Sequence, residues 1–204
     1  MALKILIHIQ YGVPKEVEFT FEKVLKTTST QEDVFNTYGS EIMQRLLDGF
    51  NCTLIAFGSS GKTFTLFGNT AKAASWAEEA GNQKFDGIVP RLIRLIFDYI
   101  MNNSPPEIEF SVSLSCFEIC GLDNGVDALM NDLLLEKSGE KDKKLDVLVE
   151  EETNVVEIIG LHEEFVTSDV ELFESLSHAL AKRSKSKFSK VSINDTLQNT
   201  VQHL

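Results

Sequence analysis

The chain has 204 residues, of which 43% are hydrophobic and 25% are charged, as in a globular protein of roughly one large domain or one and a half small ones. Its 19 basic and 31 acidic residues give a formal net charge of −12, which argues against binding to the phosphate backbone of nucleic acids. No apolar run approaches the ~18 residues that span a bilayer, and the 3 cysteines, which lack metal-ligand spacing, predict reduced thiols in a cytosolic protein.

The N-terminal part of the chain predicts two strands and a helix. Apolar and polar residues alternate over residues 3–10 and 17–21, which predicts two short strands. Thr30, with Asp33 three positions later, is a candidate N-cap, and apolar residues then recur at helical spacing. We therefore predict an amphipathic helix over residues 31–48, which packs on the core and carries no site.

A phosphate-binding type of loop follows this helix. The apolar run 52–57 is too short for an amphipathic helix and predicts a buried strand, which leads into a Gly/Ser loop ending in Gly-Lys-Thr. Glycines allow backbone N–H groups to face phosphate oxygens, while the lysine reaches the outer phosphates and the threonine hydroxyl ligates Mg²⁺. We accordingly predict that Thr63 ligates the Mg²⁺ ion that accompanies the bound nucleotide. The predicted nucleotide-binding residues are Gly58, Ser59, Ser60, Gly61, Lys62, Thr63 and Phe64.

The spacing of this loop departs from the common pattern, in which four residues separate the first glycine from Gly-Lys-Ser/Thr. Ala56 stands where that pattern has its first glycine. Either Ala56 replaces it, or Gly58 is that glycine and the loop is shorter. We favour the shorter loop, because Ala56 and Phe57 fit the end of a strand. The alternative interpretation is a Ser-Gly turn followed by an exposed lysine.

Downstream of the loop, residues 68–86 predict a surface excursion anchored by Trp76. Pro90 in a first helical turn predicts the next helix, which ends in the Asn/Pro-rich stretch 102–106.

The second half of the chain predicts mainly strands. Residues 108–119 alternate with a change of phase near 115–116, which predicts a long bulged strand. A short helix is predicted over 126–135. Residues 145–149 and 155–159 predict a hairpin with three glutamates at its tip.

A last strand and helix precede a basic stretch. Phe165-Val166 predicts a strand, and Ser168 with Glu171 predicts a capping box for a helix that continues to about residue 180. The serine-interleaved basic stretch 182–190 predicts a mobile linker, or a segment that orders on an acidic partner or phosphate.

Many of these segments occur in the order found in one protein family. Residues 46–58 and 61–68 closely resemble the nucleotide-binding segment of kinesin motor domains. The resemblance continues, in the same order, from about Phe19 to Asn194. It is carried by Phe19-Thr20-Phe21-Glu22-Lys23-Val24, Thr30-Gln31-Glu32-Asp33-Val34-Phe35-Asn36, Gly87-Ile88-Val89-Pro90-Arg91, Phe117-Glu118-Ile119, Asp132-Leu133-Leu134, Gly160-Leu161-His162-Glu163, Arg183 and Asn194.

The resemblance implies an α/β fold of the three-layer kinesin-like P-loop NTPase type, in which helices flank a central mixed β-sheet. This fold is expected to be incomplete at the C-terminus, because the family's second switch segment has no counterpart after Asn194. We therefore expect one partial motor domain over residues 1–204, with 182–204 as a flexible switch-like tail.

The resemblance also implies a function: an ATP-binding, microtubule-based motor ATPase with Mg²⁺-bound ATP or ADP, located in the cytoplasm on the cytoskeleton. The family's Arg-x-Arg-Pro near the first strand, which lies along the adenine, is reduced here to Pro14, and the family's switch arginine is missing after Asn194. We therefore expect nucleotide binding without efficient hydrolysis, and leave open whether the chain is an active ATP hydrolase. The alternative is a non-catalytic module that keeps the motor scaffold as a protein-interaction surface.

The predicted partner is tubulin, through a weak contact. In the family the hairpin tip carries basic residues that meet the acidic microtubule, whereas residues 150–152 are three glutamates here. Like charges repel, so this face is expected to bind microtubules poorly. The sequence predicts no nucleic-acid partner, no membrane partner and no particular oligomeric state.

Overall fold

The computed structural model describes residues 2–7, 15–69, 76, 83–105, 107–120, 129–135, 145–152 and 155–183. Its helical elements are α1 (Gln31–Val34), a π-helical turn (Phe35–Gly39), α2 (Ser40–Leu47), α3 (Lys62–Phe67), a 3₁₀ turn (Gln83–Phe85), α4 (Ile88–Asn102) and α5 (Asp169–Arg183). Its strands are β1 (Ala2–Ile7), β2 (Lys15–Thr20), β3 (Val112–Leu114), β4 (Phe117–Cys120), β5 (Leu129–Asp132), β6 (Asp146–Glu150), β7 (Val155–Ile159) and β8 (Glu164–Val166).

The described strands form four two-stranded sheets, β1–β2, β3–β8, β4–β5 and β6–β7, and each pair is antiparallel. The predicted N-terminal strands are confirmed, with Leu3 opposite Phe19, and residues 8–14 lie outside the described residues. The predicted hairpin is also confirmed, with Val149 opposite Val156.

The predicted helix over residues 31–48 is confirmed as α1, the π-helical turn and α2 in unbroken succession. Its N-terminus is capped as expected. The Asp33 N–H donates to the Thr30 hydroxyl at 3.1 Å, and the Thr30 N–H donates to the Asp33 carboxylate at 2.8 Å. These reciprocal bonds satisfy two backbone donors that a helix start otherwise leaves unpaired.

Two predictions in the second half are wrong. Residues 108–119 are not one bulged strand, because the chain changes partner at 115–116, so that β3 pairs with β8 and β4 pairs with β5. Of the predicted helix over 126–135, the structure describes 129–135, where residues 129–132 form β5 and residues 133–135 form a bend. Backbone pairing with β4 outweighs the local preference, and the Asp132 carboxylate then ends β5 by accepting the N–H groups of Leu134 and Leu135 at 2.8 and 3.1 Å.

The main core lies between α4 and α5. Trp76 is buried in this core, as predicted for the aromatic that anchors residues 68–86. The Trp76 and Phe173 rings are 5.9 Å apart. The Arg94 guanidinium lies 4.9 Å from the Phe173 ring and forms an ion pair of 2.5 Å with the buried Asp86 carboxylate. The other buried residues of this core are Ile93, Phe97, Val166, Leu172 and Leu176.

The ends of α4 and α5 agree with the sequence in most respects. Pro90 lies in the first turn of α4, as predicted. The Ser168 hydroxyl accepts the Glu171 N–H at 3.2 Å, and the Glu171 carboxylate accepts the Thr167 N–H at 2.7 Å. Beside the Thr167 N–H, a backbone hydrogen bond from Ser168 also contributes to lowering the pKa of Glu171, as the predicted capping box requires. The last helix continues to Arg183. Within the described part of the chain, no helix combines the length and apolar character that crossing a membrane requires.

Candidate functional site

The segment before the Gly/Ser loop is not the buried strand that we predicted. Residues 51–57 belong to no strand, and their side chains alternate between half-buried and exposed. Ile55 is 80% exposed and Phe57 is 99% exposed. A strand requires a neighbouring strand for its backbone hydrogen bonds, and no described strand pairs with this segment. Residues 52–57 are apolar enough for a buried strand, but among the described residues no strand lies beside them to pair with.

The loop that follows has glycine-specific backbone conformations. Gly58 has φ of 149° and Gly61 has φ of 81°, both in the region that side chains disfavour. A Cβ on Gly61 would meet no atom within 4 Å, so the conformation rather than crowding requires glycine there. Ser59 and Ser60 are exposed between them. The turn therefore leaves residues 58–61 exposed to solvent directly before α3.

Lys62, Thr63 and Phe64 form the first turn of α3. The Lys62 ammonium turns back and donates to the Gly58 carbonyl, which closes the loop on itself. The Phe64 carbonyl accepts a hydrogen bond of 2.6 Å from the Gln31 side-chain amide, which connects α3 to α1. Gln31 is buried, and its side-chain oxygen has no hydrogen-bond partner among the described residues.

A second cation approaches the loop from the other end of the chain. Arg183, the last residue of α5, donates from its guanidinium to the Thr63 hydroxyl at 3.2 Å. Two positively charged side chains, Lys62 and Arg183, therefore lie at the first turn of α3. Such a pair, beside a helix start that no side chain caps, suits an anion such as a phosphate.

The fit to Mg²⁺ is less complete. Thr63 supplies one hydroxyl oxygen of the hard type that Mg²⁺ prefers, but that oxygen accepts a bond from a guanidinium. The described residues contain no cluster of three or more histidine, cysteine, aspartate or glutamate side chains that would hold a metal ion. A guanidinium beside a metal ligand also repels the metal. The arrangement therefore suits phosphate better than metal.

Sequence reasoning missed two contacts of this site. We assigned no site to the helix 31–48, yet Gln31 bonds to α3, and the only signal was its place at the helix start within the family-like segment. We interpreted 182–190 as a mobile linker, or as a segment that orders on an acidic partner or phosphate, but Lys182 and Arg183 are helical, and residues 184–190 lie outside the described residues. The Lys182 ammonium donates to the Asp132 carbonyl at 3.2 Å, so it anchors the end of α5.

Comparison with known proteins gives consistent matches. The sequence profile of the kinesin motor domain matches residues 7–196. The chain is 33% identical over 167 residues to kinesin-like protein KIN-5C of Arabidopsis thaliana. The aligned region covers 81% of this chain and 16% of that protein. It is 32% identical over 166 residues to the kinesin heavy chain of Strongylocentrotus purpuratus, and this aligned region covers 80% of this chain and 14% of that protein.

A solved structure of a fast kinesin matches with a TM-score of 0.66 and 26% identity, over 83% of this chain and 42% of that chain. This match confirms the predicted α/β fold of the kinesin-like P-loop NTPase type. The central mixed sheet expected of that fold is not seen among the described strands, which pair only in antiparallel twos. The chain belongs to the kinesin motor-domain family. It spans 16% or less of the length of the two curated relatives named above.

Proposed function

We propose that this chain is the nucleotide-binding part of a kinesin-type motor, and that it binds ATP or ADP weakly and hydrolyses ATP inefficiently. The observation that carries this proposal is the backbone of the loop. Gly58 and Gly61 both have positive φ, and α3 begins immediately afterwards at Lys62. This order brings exposed N–H groups and a lysine to one turn, as a phosphate cradle requires.

The proposed roles of the residues follow from their contacts. The backbone N–H groups of residues 58–61 would bind phosphate oxygens, and the Lys62 ammonium would exchange its bond to the Gly58 carbonyl for one to a phosphate oxygen. The Thr63 hydroxyl would hold Mg²⁺ only after Arg183 has moved away from it, and Phe64 is positioned by Gln31. Bound Mg²⁺ would offset the charge of the phosphates. Residues 1–204 then act as one partial motor domain, and the predicted switch-like tail 182–204 begins within α5, because Lys182 and Arg183 are helical.

Inefficient hydrolysis is inferred from the contact between Arg183 and Thr63. Because the guanidinium uses the hydroxyl that would hold the metal, metal binding must displace Arg183 or accept a cation beside it. Phosphoryl transfer needs the cradle, the metal and a positioned water together. Loss of one such part typically lowers the rate by ~10³-fold, which corresponds to about 4 kcal/mol.

The nucleotide proposal is tested by thermal unfolding of the whole chain with Mg-ADP and Mg-ATP. A ligand at about a hundredfold excess over its Kd raises the free energy of unfolding by ~2.7 kcal/mol. We expect a rise for the unaltered chain and for Lys26→Ala, which removes an exposed lysine outside the loop. We expect no rise for Lys62→Ala. An equal rise in the Lys62→Ala protein would contradict the assigned site.

A microtubule role is part of the same proposal, with location on the cytoskeleton. The contact is expected to be weak, because the tip of the β6–β7 hairpin carries Glu150, Glu151 and Glu152, all exposed. Co-sedimentation with microtubules should give little pelleting at physiological salt, and more with Glu151→Lys/Glu152→Lys. Strong pelleting of the unaltered chain would contradict this expectation.

The second candidate function is a non-catalytic interaction module. The bond from the Lys62 ammonium to the Gly58 carbonyl favours it, because a loop closed by its own lysine needs no phosphate to satisfy that charge. The thermal measurement separates the two functions. No rise with either nucleotide supports the module, and a rise that depends on Lys62 supports the nucleotide-binding motor part.

A further inference from the structure

The β6–β7 hairpin projects from the rest of the protein. Leu145, at its base, is buried, whereas every residue of β6 is exposed and only one residue of β7 is half-buried. No other described strand pairs with either β6 or β7. A two-stranded hairpin is marginally stable on its own in water, so this element gains stability from any strand added to it.

The two faces of the hairpin differ in chemistry. Val147 lies opposite Ile158, and Val149 lies opposite Val156, so these four residues share one face, here called the valine face. Val149 is 53% exposed and Val156 is 61% exposed. A contiguous exposed apolar face on a projecting element is typical of an interaction surface.

The opposite face, here called the acidic face, carries Asp146, Leu148, Glu150, Val155, Glu157 and Ile159. The hairpin, over 145–152 and 155–160, contains five acidic residues and no lysine or arginine, because Glu151 and Glu152 add to the three acids of this face. Lys143 and Lys144 precede Leu145 in the sequence, so the negative charge is concentrated toward the tip.

We propose that this hairpin binds an extended polypeptide segment in which apolar and basic residues alternate. Such a segment, added as a third strand, would place its apolar side chains on the valine face and its lysines or arginines on the acidic face. The alternating side chains of the peptide match the valine face and the acidic face at once, and the positive charges of the peptide complement the negative charges of the hairpin. This proposal does not depend on nucleotide binding at the Gly/Ser loop.

The test uses the whole chain and a short fluorescent peptide of alternating valine and lysine, with binding measured by anisotropy. A peptide of the same composition, with all valines before all lysines, is the control for charge alone. We expect the alternating peptide to bind at least about tenfold more tightly than the block peptide. Equal binding of the two peptides, or no binding of the alternating one, would overturn the proposal.

Matched variants locate the site. Val149→Thr/Val156→Thr keeps β-branched residues in the strands but removes apolar contact, and should weaken binding at least about fivefold. Val170→Thr changes an exposed valine on α5 and should leave binding unchanged. Glu157→Lys should likewise weaken binding, whereas Glu107→Lys, which makes the same charge change at an exposed position, should not. If the control variants lose as much binding as the hairpin variants, the hairpin is not the site.

Discussion

The guanidinium of Arg183 lies 3.2 Å from the hydroxyl of Thr63 and donates a hydrogen bond to it, although 120 residues separate the two in sequence. This bond joins the C-terminal end of α5 to the first turn of α3. It places a permanent positive charge beside the hydroxyl that, in our proposal, holds Mg²⁺. The same charge favours phosphate and disfavours the metal, so the two ligands should respond oppositely to its removal.

We therefore predict that Arg183→Gln changes the preference for metal-bound nucleotide. Because the repulsion between the guanidinium and Mg²⁺ is removed, the affinity for Mg-ADP relative to metal-free ADP should rise about two- to fivefold, a modest effect because the contact is exposed to solvent. Titration with and without EDTA measures this ratio. Lys26→Gln removes the same charge from another exposed position and should leave the ratio unchanged. A ratio that stays constant in Arg183→Gln would refute the assigned role.

A second prediction concerns the buried ion pair of the core. Asp86→Ala leaves the Arg94 guanidinium, whose side chain is only 17% exposed, without its carboxylate partner at 2.5 Å. An unpaired buried charge is costly, and we expect the free energy of unfolding to fall by about 3 kcal/mol, measured by urea denaturation. Glu41→Ala breaks the exposed pair of Glu41 with Arg45 and should cost less than about 0.5 kcal/mol. Similar losses in the two variants would show that burial does not set the cost.

A third prediction is the pH dependence of two helix starts. The Thr30 backbone N–H, with the Thr30 hydroxyl, lowers the pKa of Asp33, and the Thr167 N–H and hydroxyl do the same for the pKa of Glu171. A lowered folded-state pKa stabilises the fold above the ordinary carboxyl range near about pH 4, and this contribution is lost as the pH falls through the folded-state pKa.

Urea denaturation from neutral to acidic pH measures this contribution. Asp33→Asn and Glu171→Gln should be less stable than the unaltered chain at neutral pH, and the difference should shrink as the pH falls below the ordinary carboxyl range. Glu174→Gln, which removes an exposed carboxylate within α5, is the control for loss of a surface charge alone. A difference that is constant with pH would mean that the caps do not act through the ionised carboxylates.

A fourth prediction concerns thiol reactivity. Burial, followed by the negative charges of Asp132 and Glu164, raises the pKa of Cys116 to about 11. Since the thiolate is the reactive form, alkylation at pH 8 should be roughly a hundredfold slower in the folded chain than in urea. The measurement uses Cys52→Ser/Cys120→Ser, so that Cys116 alone reacts, with mass spectrometry as readout. Equal rates with and without urea would contradict the burial of this thiol.

Much of this architecture was predictable from local patterns. The N-cap pair Thr30 and Asp33, the helices 31–48 and 88–102, and the hairpin around 150–152 depend on spacing within about one turn or one pair of strands. The Gly/Ser loop was predictable for the same reason. Glycine adopts the positive φ seen at Gly58 and Gly61 because it lacks a Cβ, and this property does not depend on distant neighbours. The order of family-like segments then indicated the fold class.

What the sequence by itself determined is therefore the set of elements whose hydrogen bonds and apolar faces close over short distances: caps, amphipathic helices, the hairpin and the glycine loop. The tertiary structure alone decided which strands pair: β5 formed where a helix was predicted, β3 and β4 took different partners, and 52–57 took none among the described residues. It also decided that Arg183 reaches Thr63. The physical reason is that a strand or a long side chain acquires its structure from a distant neighbour, and no local pattern names that neighbour.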